Sequence, residues 1–455
     1  MRRLGALAGL CAAIFATAVI APAAAEARSM TVTLRSQSFL LGGFNTIFPK
    51  VSVPTPRRDG YITKMDAWLV NQKGGRVSIR NVMLHHIVFL NGGPAGGRTK
   101  NGSCPGRGNE PFWGTGEEKQ PLMLPDGYGY KVGKRDRWRM QAMLMSHSLR
   151  AHRVRVVYKL RMVVGQKMTR VKPLWLRANG CTKHPSYDIE GDQPPGSIHR
   201  RTSLWRMPLS GRIVASAAHL HGSSKEMTIS QPRCEDRTLV DHKPLYGYQD
   251  DIVYRAKPVL HEPGPIATGH FQSRTGLPVR KGEMLRVTGL YDASRPHVQV
   301  MAIAHVYIAP DREARRSCVP LPKDAGIFWT RKDGRSQAPV VPLPLNGLDS
   351  EGQVREIDRP PGDEKVVNGP QTLVELNDKT FEPANLSVPR GTNVVWKFTG
   401  LGLHNVMIAQ APRLISSTNQ SKGFRYVKNL STPGTYRLFC YLHPITMTQV
   451  IKVRP

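Results

Sequence analysis

A short segment near the C-terminus holds three side chains that bind soft metal ions. Residues 439–447 read FCYLHPITM, and a single histidine, His404, lies 36 residues before Cys440. One thiolate, two imidazoles and one thioether form the ligand set of a blue, electron-transferring copper site. One early ligand and three on a closing loop meet only if strands return to the same end, so this order predicts a small β-sandwich. The predicted ligands are His404, Cys440, His443 and Met447.

The sequence around this segment resembles a known family of copper proteins. Residues 380–396 have the alternation of strands around a turn, and residues 434–440 (GTYRLFC) lead a further strand into the ligand loop. Residues 366–455 resemble the plastocyanin-like cupredoxins, whose Cys-x2-His-loop-Met signature they carry. Usual members have two or four residues between the second histidine and the methionine, whereas three separate His443 from Met447. Thr446, at the shorter-loop position, is no soft axial ligand, so Met447 is the predicted one.

Two alternatives stay open for this site. One is a cupredoxin-like sandwich without metal, in which Cys440 is a buried apolar residue. The other is zinc, which does not require a thioether ligand. Four ligands at matching places favour copper over both.

Two pairs of histidines lie upstream in apolar, strand-like segments. Residues 83–89 read MLHHIVF and contain His85 and His86, whereas residues 217–222 read AAHLHG and contain His219 and His221. Residues i and i+2 of a strand share a face, so His219 and His221 can bind one metal ion. Adjacent histidines point to opposite faces, and one ion shared by both requires a bulge or different ring nitrogens. The alternative for each is a hydrogen-bonded core histidine, although paired imidazoles are costly to bury without a partner.

The order of these residues over positions 31–310 resembles the copper type II, ascorbate-dependent monooxygenases. That family includes peptidylglycine α-hydroxylating monooxygenase and dopamine β-monooxygenase. Its single histidine is matched by His147, in the segment MLMSH, and its methionine by Met301, in VMAIAHVY. The family implies two jelly-roll β-sandwich domains that face each other across a cleft, each with one type 2 copper. The first copper would be held by His85, His86 and His147, and the second by His219, His221 and Met301.

Other residues compete for two of these positions. His152 could replace His147, and His305, on the same strand face as Met301, could replace or assist it. Met301 could also be an ordinary core methionine. Peptide-hydroxylating members place an arginine two residues before His-x-His to hold the substrate carboxylate, where this chain has Ala217. We therefore expect a substrate other than a peptide C-terminus.

Length and composition favour three β domains behind an export signal. The 455 residues suffice for three domains of about 150 residues each. The 42 glycines and 36 prolines, with no long amphipathic helical stretch, favour an all-β chain. Residues 1–27 resemble an export signal, because two arginines precede an apolar run and small residues follow it. The run is about 17 residues long, which is short for an uncleaved membrane anchor. The predicted units are the signal peptide at 1–27, jelly rolls at 31–170 and 171–310, a Pro-rich linker at 311–365 and the cupredoxin at 366–455.

Export would place the protein in the periplasm or outside the cell, with no transmembrane segment after signal cleavage. Cys11 leaves with the signal, and Cys440 is assigned to copper. In an oxidising compartment the other four cysteines predict two disulfides, with three pairings open. These four are Cys104, Cys181, Cys234 and Cys318. The net charge of +32 is scattered without a nucleic-acid motif, which favours association with anionic surfaces over specific nucleic-acid binding.

Together these features predict a secreted copper monooxygenase that hydroxylates a C–H bond of a small or peptide-like molecule with O2. His219, His221 and Met301 are the predicted catalytic residues, and the other upstream copper would relay an electron. The fused blue-copper domain would donate electrons, replacing ascorbate or receiving them from it or another external donor. The alternative is a non-catalytic copper-binding or electron-transfer protein. A multicopper oxidase or copper nitrite reductase ranks lowest, because laccase-like enzymes need several His-x-His pairs and this chain has one.

Overall fold

The computed structural model consists almost entirely of β-strands. It describes residues 28–94, 104, 108–314, 318–341, 343–349 and 351–455, so the predicted export signal and Cys11 lie outside the described residues. The described helices are a 3-10 turn, Pro232–Cys234, and one short α-helix, α1 (Ile252–Arg255). The all-β prediction is confirmed. Among the described residues, no helix has the length and apolar character that a membrane crossing requires.

The first unit is a β-sandwich of two sheets. Its strands are β1 (Arg28–Leu41), β2 (Thr46–Ile47), β3 (Lys50–Val53), β4 (Gly60–Asn71), β5 (Val82–Asn91), β6 (Glu110–Thr115), β7 (Leu122–Met123), β8 (Tyr128–Val132), β9 (Trp138–Ser146), β10 (His152–Val164) and β11 (Thr169–Arg170). One sheet has the order β1-β10-β4-β8-β11 with β7 beside β4, and the other has β2-β9-β5-β6 with β3 beside β9. In β10 every second residue from Val154 to Met162 is buried, so the alternation in the sequence sets the core-facing side.

The second unit is a sandwich whose central strand has both faces covered. Its strands are β12 (Lys172–Arg177), β13 (Tyr187–Ile189), β14 (Ile198–Arg206), β15 (Gly211–Leu220), β16 (Ser224–Gln231), β17 (Arg237–His242), β18 (Pro244–Leu245), β19 (Ala267–Thr268), β20 (His270–Val279), β21 (Met284–Asp292), β22 (His297–Val300), β23 (Ala302–Pro310) and β24 (Gly326–Phe328). The main sheets run β12-β23-β15-β20-β24 and β14-β21-β16-β17. Nearly all of β15 is buried, because Val214 and Ala215 pack into the core of the first unit. This strand therefore carries His219 to the boundary between the two units.

The third unit is a sandwich of mixed sheets. The remaining strands are β25 (Asn346–Leu348), β26 (Val354–Glu356), β27 (Glu364–Val366), β28 (Gln371–Leu376), β29 (Phe381–Glu382), β30 (Asn385–Pro389), β31 (Thr392–Phe398), β32 (Met407–Gln410), β33 (Arg425–Leu430), β34 (Gly434–Phe439) and β35 (Thr448–Arg454). The sheets run β27-β30-β35-β34-β32 and β29-β28-β31-β33, while β25 pairs with β26. Part of the stretch predicted as a linker, 311–365, belongs to the second unit, because its strand β24 pairs with β20 and extends a sheet of that unit.

Covalent and apolar contacts join the three units. The Cys104–Cys181 disulfide links the first unit to the second, and Cys234–Cys318 lies within the second. The prediction of two disulfides is confirmed, and the structure selects one of the three pairings. Phe44, Met83 and Met143 of the first unit pack into the same buried cluster as the core of the third unit. The third unit is thus docked on the sheet that contains β5 and β9.

Candidate metal centres

Three of the four predicted C-terminal ligands converge at one end of the third unit. The ligand atoms of His404, Cys440 and His443 all lie within 4.8 Å of one another. Cys440 directly follows β34, and its Sγ is 3.8 Å from Nδ1 of His443. The loop closes on itself, because the Cys440 N–H donates to the Met447 carbonyl at 2.9 Å and the Met447 N–H donates to the His443 carbonyl at 3.0 Å. Met447 is fully buried immediately before β35.

Neighbouring polar groups orient this site. The Asp378 carboxylate accepts a hydrogen bond from Nε2 of His404 at 3.0 Å. Nδ1 of His404 is buried and has no hydrogen-bond partner within the described part of the chain, so its lone pair is available. The backbone N–H of Asn405 donates to Cys440 Sγ at 3.4 Å. Hydrogen bonds from Gly402 and His404 lower the pKa of Asp378 to about 2, which keeps this acceptor charged. Such outer partners fix the tautomer and direction of metal-binding histidines.

Burial decides the charge state of the ligands. Burial raises the pKa of the Cys440 thiol to about 11. Burial, reinforced by His404, lowers the pKa of His443. The thiol is therefore neutral until a metal ion stabilises the thiolate. A buried sulfur beside two imidazoles fits a soft transition metal such as copper.

The structure brings both upstream histidine pairs into one cluster at the boundary of the first and second units. Nδ1 of His85 is 3.1 Å from Nδ1 of His86, and Nε2 of His219 is 3.2 Å from Nε2 of His221. The His85 and His221 ring centroids are 5.4 Å apart. We call this group the histidine cluster: His85, His86, His219, His221 and His261. The resemblance implied two separate copper sites, one in each unit. In the structure the two histidine pairs lie together, because β15 packs directly on the first unit.

A bulge explains how the adjacent histidines approach each other. The register of β5 against β9 shifts between Leu84 and His86, so the side chains on either side of the shift no longer point to strictly opposite faces. This register shift is one of the two arrangements by which the sequence analysis expected adjacent histidines to share an ion. On the other pair, His219 lies on β15 and His221 follows directly after its last residue.

The nitrogen spacings fit both metal binding and hydrogen bonding. Metal–nitrogen bonds of about 2.0–2.1 Å at near-tetrahedral angles place two ligand nitrogens roughly 3.1–3.4 Å apart. Burial, with a smaller effect of His219, lowers the pKa of His86 to about 4. Burial, followed by His219, also lowers the pKa of His221 well below its ordinary value. Neutral imidazoles keep the lone pairs that a metal ion needs.

Two consecutive glutamates that the sequence analysis missed border the cluster. Glu117 and Glu118 lie between β6 and β7. Both carboxylate oxygens of Glu118 are 3.2 Å from Nδ1 of His219, which leaves Nε2 of that ring free to bind a metal ion. Burial opposes the charged form of His219, but Glu118 raises its pKa. Glu117 Oε1 is 3.4 Å from Nε2 of His85 and 3.0 Å from Nε2 of His261.

No motif marks these additional residues. Glu117 and Glu118 stand in the polar stretch GTGEEKQ, and His261 stands in the proline-rich stretch HEPGP. Each segment alone is typical of an exposed loop. Their contacts appear only when the two units are docked.

The other predicted residues lie around the cluster. His147 is buried, and its ring is 6.3 Å from that of His261. Met301 lies between β22 and β23, where its carbonyl accepts from the His221 N–H at 3.3 Å. His305 packs on Trp175 at a ring distance of 4.0 Å. His152 pairs with Leu41 in the other sheet of the first unit, and no ring contact among the described residues joins it to the cluster.

Two cavities border the histidine cluster. The larger, about 660 Å³, lies where the three units meet and is lined by His85, His221, His261 and Tyr441 among others. The smaller, about 330 Å³, has mainly aliphatic and aromatic walls and also touches His219. Met301 and His86 line both cavities. Ligands at the cluster can therefore meet a small molecule from either side.

No protein-family model and no curated protein matches the chain. Among solved structures, it is similar to a purple cupredoxin from Nitrosopumilus maritimus at 21% identity, covering 18% of this chain and 98% of that chain with a TM-score of 0.17. A reduced mutant of amicyanin shows 22% identity, 19% and 83% coverage and a TM-score of 0.18. Another amicyanin mutant, in its reduced Cu(I) form at pH 4, shows 24% identity, 18% and 80% coverage and a TM-score of 0.17. The copper assignment therefore depends on this chain's own ligand residues.

Proposed function

We propose that the protein is an exported copper monooxygenase in which the C-terminal site donates electrons to the histidine cluster. One contact carries this proposal. The hydroxyl of Tyr441, the residue after Cys440, is 3.1 Å from Sδ of Met143. Met143 lies directly opposite His86 in the pairing of β9 with β5. One covalent step, one short contact and one strand pairing thus connect Cys440 to the histidine cluster.

Two further contacts join Tyr441 to the first unit. The hydroxyl of Thr46 donates to the Tyr441 carbonyl at 3.5 Å, and the Phe48 ring lies 6.3 Å from the Tyr441 ring. Burial raises the pKa of Tyr441, so its hydroxyl stays protonated and can donate to the Met143 sulfur. A ligand loop that is buried against the first unit supports internal transfer rather than exchange through solvent.

The donor sets suit copper at both places. The C-terminal site offers His404, Cys440, His443 and Met447, and the upstream region offers the histidine cluster with Met301. Bound copper would supply a one-electron redox couple and the reaction with O2. The chain's own groups exclude water by burial, and Asp378 and Glu118 hold histidine tautomers with a free lone pair. The apolar walls of the smaller cavity favour a substrate with an unactivated C–H bond and little charge.

Two disulfides fit an oxidising compartment, so we place the protein outside the cytoplasm. The predicted export signal at residues 1–27 also supports a location outside the cytoplasm. Ascorbate or another external reductant would then reload the C-terminal site.

A four-electron oxidase that reduces O2 to water is the second candidate. The observation in its favour is the direct contact between the two histidine pairs, which can hold metal ions close enough to act on one O2 molecule. Against it stands the single His-x-His pair of the chain. The two candidates differ in where the oxygen atoms go.

Rapid mixing of the reduced protein with O2 tests the proposal. The blue absorbance near roughly 600 nm should return at a rate independent of protein concentration, and His85→Ala should abolish that return. Turnover under ¹⁸O₂ with ascorbate and a panel of small apolar molecules should place label in an organic product. Label found solely in water favours the oxidase. Absence of O2 consumption leaves a non-catalytic electron-transfer protein.

A further inference from the structure

Three metal-binding side chains meet across the boundary between the first two units. Nε2 of His85, Oε1 of Glu117 and Nε2 of His261 all lie within 4.8 Å of one another. The individual distances to Glu117 Oε1 are 3.4 Å from His85 and 3.0 Å from His261. His261 belongs to the second unit and is 144 residues away from Glu117 in the sequence. The group therefore forms only when the units are docked.

The side chains of this group are largely enclosed by the two units. The side chains of His85, Glu117 and His261 are 7%, 6% and 16% exposed. Oε2 of Glu117 accepts the Gly264 N–H at 2.9 Å, and Oε1 faces the two imidazoles. A carboxylate and two imidazoles that are buried this close together are stabilised when a cation completes the group.

A separate observation points to a ligand here. His147 is 6% exposed, and neither of its ring nitrogens has a hydrogen-bond partner within the described residues. Its ring lies 6.3 Å from that of His261. An imidazole buried without any partner is costly, and a metal ion would satisfy it.

We propose that His85, Glu117 and His261 form a metal site that bridges the first two units, with His147 as its fourth ligand. Two imidazoles and one carboxylate, completed by the imidazole of His147, form a donor set that divalent transition-metal ions such as zinc accept, and imidazole equally suits copper. His85 and His261 line the 660 Å³ cavity, so the ion would face that cavity. The choice of copper as the ion rests on the proposed function. The set of ligands does not, because it is argued from the positions of the side chains and not from catalytic activity.

The proposed site changes the predicted ligand set His85, His86 and His147. If Nε2 of His85 binds the ion, its Nδ1 carries the proton and donates to Nδ1 of His86 at 3.1 Å. His86 then positions His85 by a hydrogen bond and does not bind the ion. The other ion stays with His219 and His221, whose Nε2 atoms face each other. Each upstream ion would then have its own set of imidazoles.

Metal counting on the full chain tests this assignment. The protein is stripped of metal, loaded with excess copper(II) chloride and desalted, and the bound copper is measured by atomic emission. Glu117→Gln and His261→Ala should each hold one ion fewer than the wild type, whereas His86→Gln should hold the same number. Glu118→Gln is the matched control, because this neighbouring buried carboxylate contacts His219, a ligand of the other ion. It should keep the count at saturation while its affinity falls about 10–100-fold.

A folding measurement and a control variant separate loss of a ligand from loss of structure. Circular dichroism of the metal-free proteins checks folding, and His297→Gln controls for the loss of a buried histidine that is paired with a glutamate in the same cavity. Loss of an ion in His86→Gln with none lost in Glu117→Gln would overturn the new site and restore the original ligand set. That result would leave the proposed monooxygenase untouched, whereas a failure of O2 turnover with the expected counts would leave the new site intact.

Discussion

The C-terminal site and the histidine cluster use similar side chains but are assembled in different ways. Three of the four C-terminal ligands lie on one loop of eight residues between β34 and β35, and the fourth comes from the same unit. The histidine cluster draws its members from two units, and two glutamates join them across the boundary. The first site depends on local chain folding, and the second depends on docking. Changes at the interface should therefore affect the cluster more than the C-terminal site.

The largest expected effect separates the two regions completely. Cys440→Ser removes the thiolate whose bond to Cu(II) gives strong visible absorption near roughly 600 nm, so the blue colour should disappear. The copper bound by the histidine cluster should remain, because its ligands lie in other units. Visible absorption together with copper counting checks both expectations. A copper-loaded wild-type protein without blue colour would contradict the C-terminal assignment.

The reverse experiment removes a cluster ligand. His219→Ala should lower the copper content by about one ion and abolish O2-dependent turnover, while the blue colour persists. Nε2 of His219 faces His221, and its Nδ1 is held by Glu118, so the ring has no equivalent substitute. His199→Ala, in β14 of the same unit, is the control and should change neither property. Unchanged copper content in His219→Ala would leave this histidine as a core residue.

The contact between the two regions should control the rate of electron transfer. Met143→Leu keeps most of the packed volume but removes the sulfur that Tyr441 contacts at 3.1 Å. We expect slower return of the blue colour after mixing the reduced protein with O2, with copper content unchanged. Met145→Leu is the matched control, since Met145 is also buried on β9. Equal rates in both variants would exclude Met143 from the path.

The same comparison explains what could be predicted from the sequence. The alternation in β10 and the ligand loop at Cys440 are local patterns, and both appear in the structure as the sequence indicated. His261 and Glu117 carry no pattern, because their meeting depends on how β15 packs against the first unit. The meeting of both histidine pairs in one cluster was not predicted for the same reason: β15 is buried on both faces, and sequence periodicity does not tell which neighbour covers the second face.

A smaller effect should distinguish the axial ligand from the other C-terminal ligands. Met447→Leu should keep the blue colour, because the thiolate remains, and should raise the reduction potential by removing a donor to Cu(II). Redox titration of the full-length protein followed by visible absorption measures both. Ile445→Leu changes a buried residue of the same loop without changing a ligand, and its potential should stay near that of the wild type. A potential unaffected by Met447→Leu would remove Met447 from the ligand set.

The smallest expected effect concerns the charged contact between the second and third units. Arg413 forms an ion pair with Asp192, but these side chains are 52% and 32% exposed. Exposed pairs are screened by water and contribute about 0–1 kcal/mol, whereas the third unit is also held by the buried cluster that contains Phe44 and Met143. Arg413→Ala should therefore change the free energy of unfolding by less than about 1 kcal/mol and leave the electron-transfer rate unaltered. A double-mutant cycle with Asp192→Ala gives the coupling energy directly. A coupling energy well above this range, or a slower return of blue colour, would show that charge and not apolar packing holds the donor unit in place.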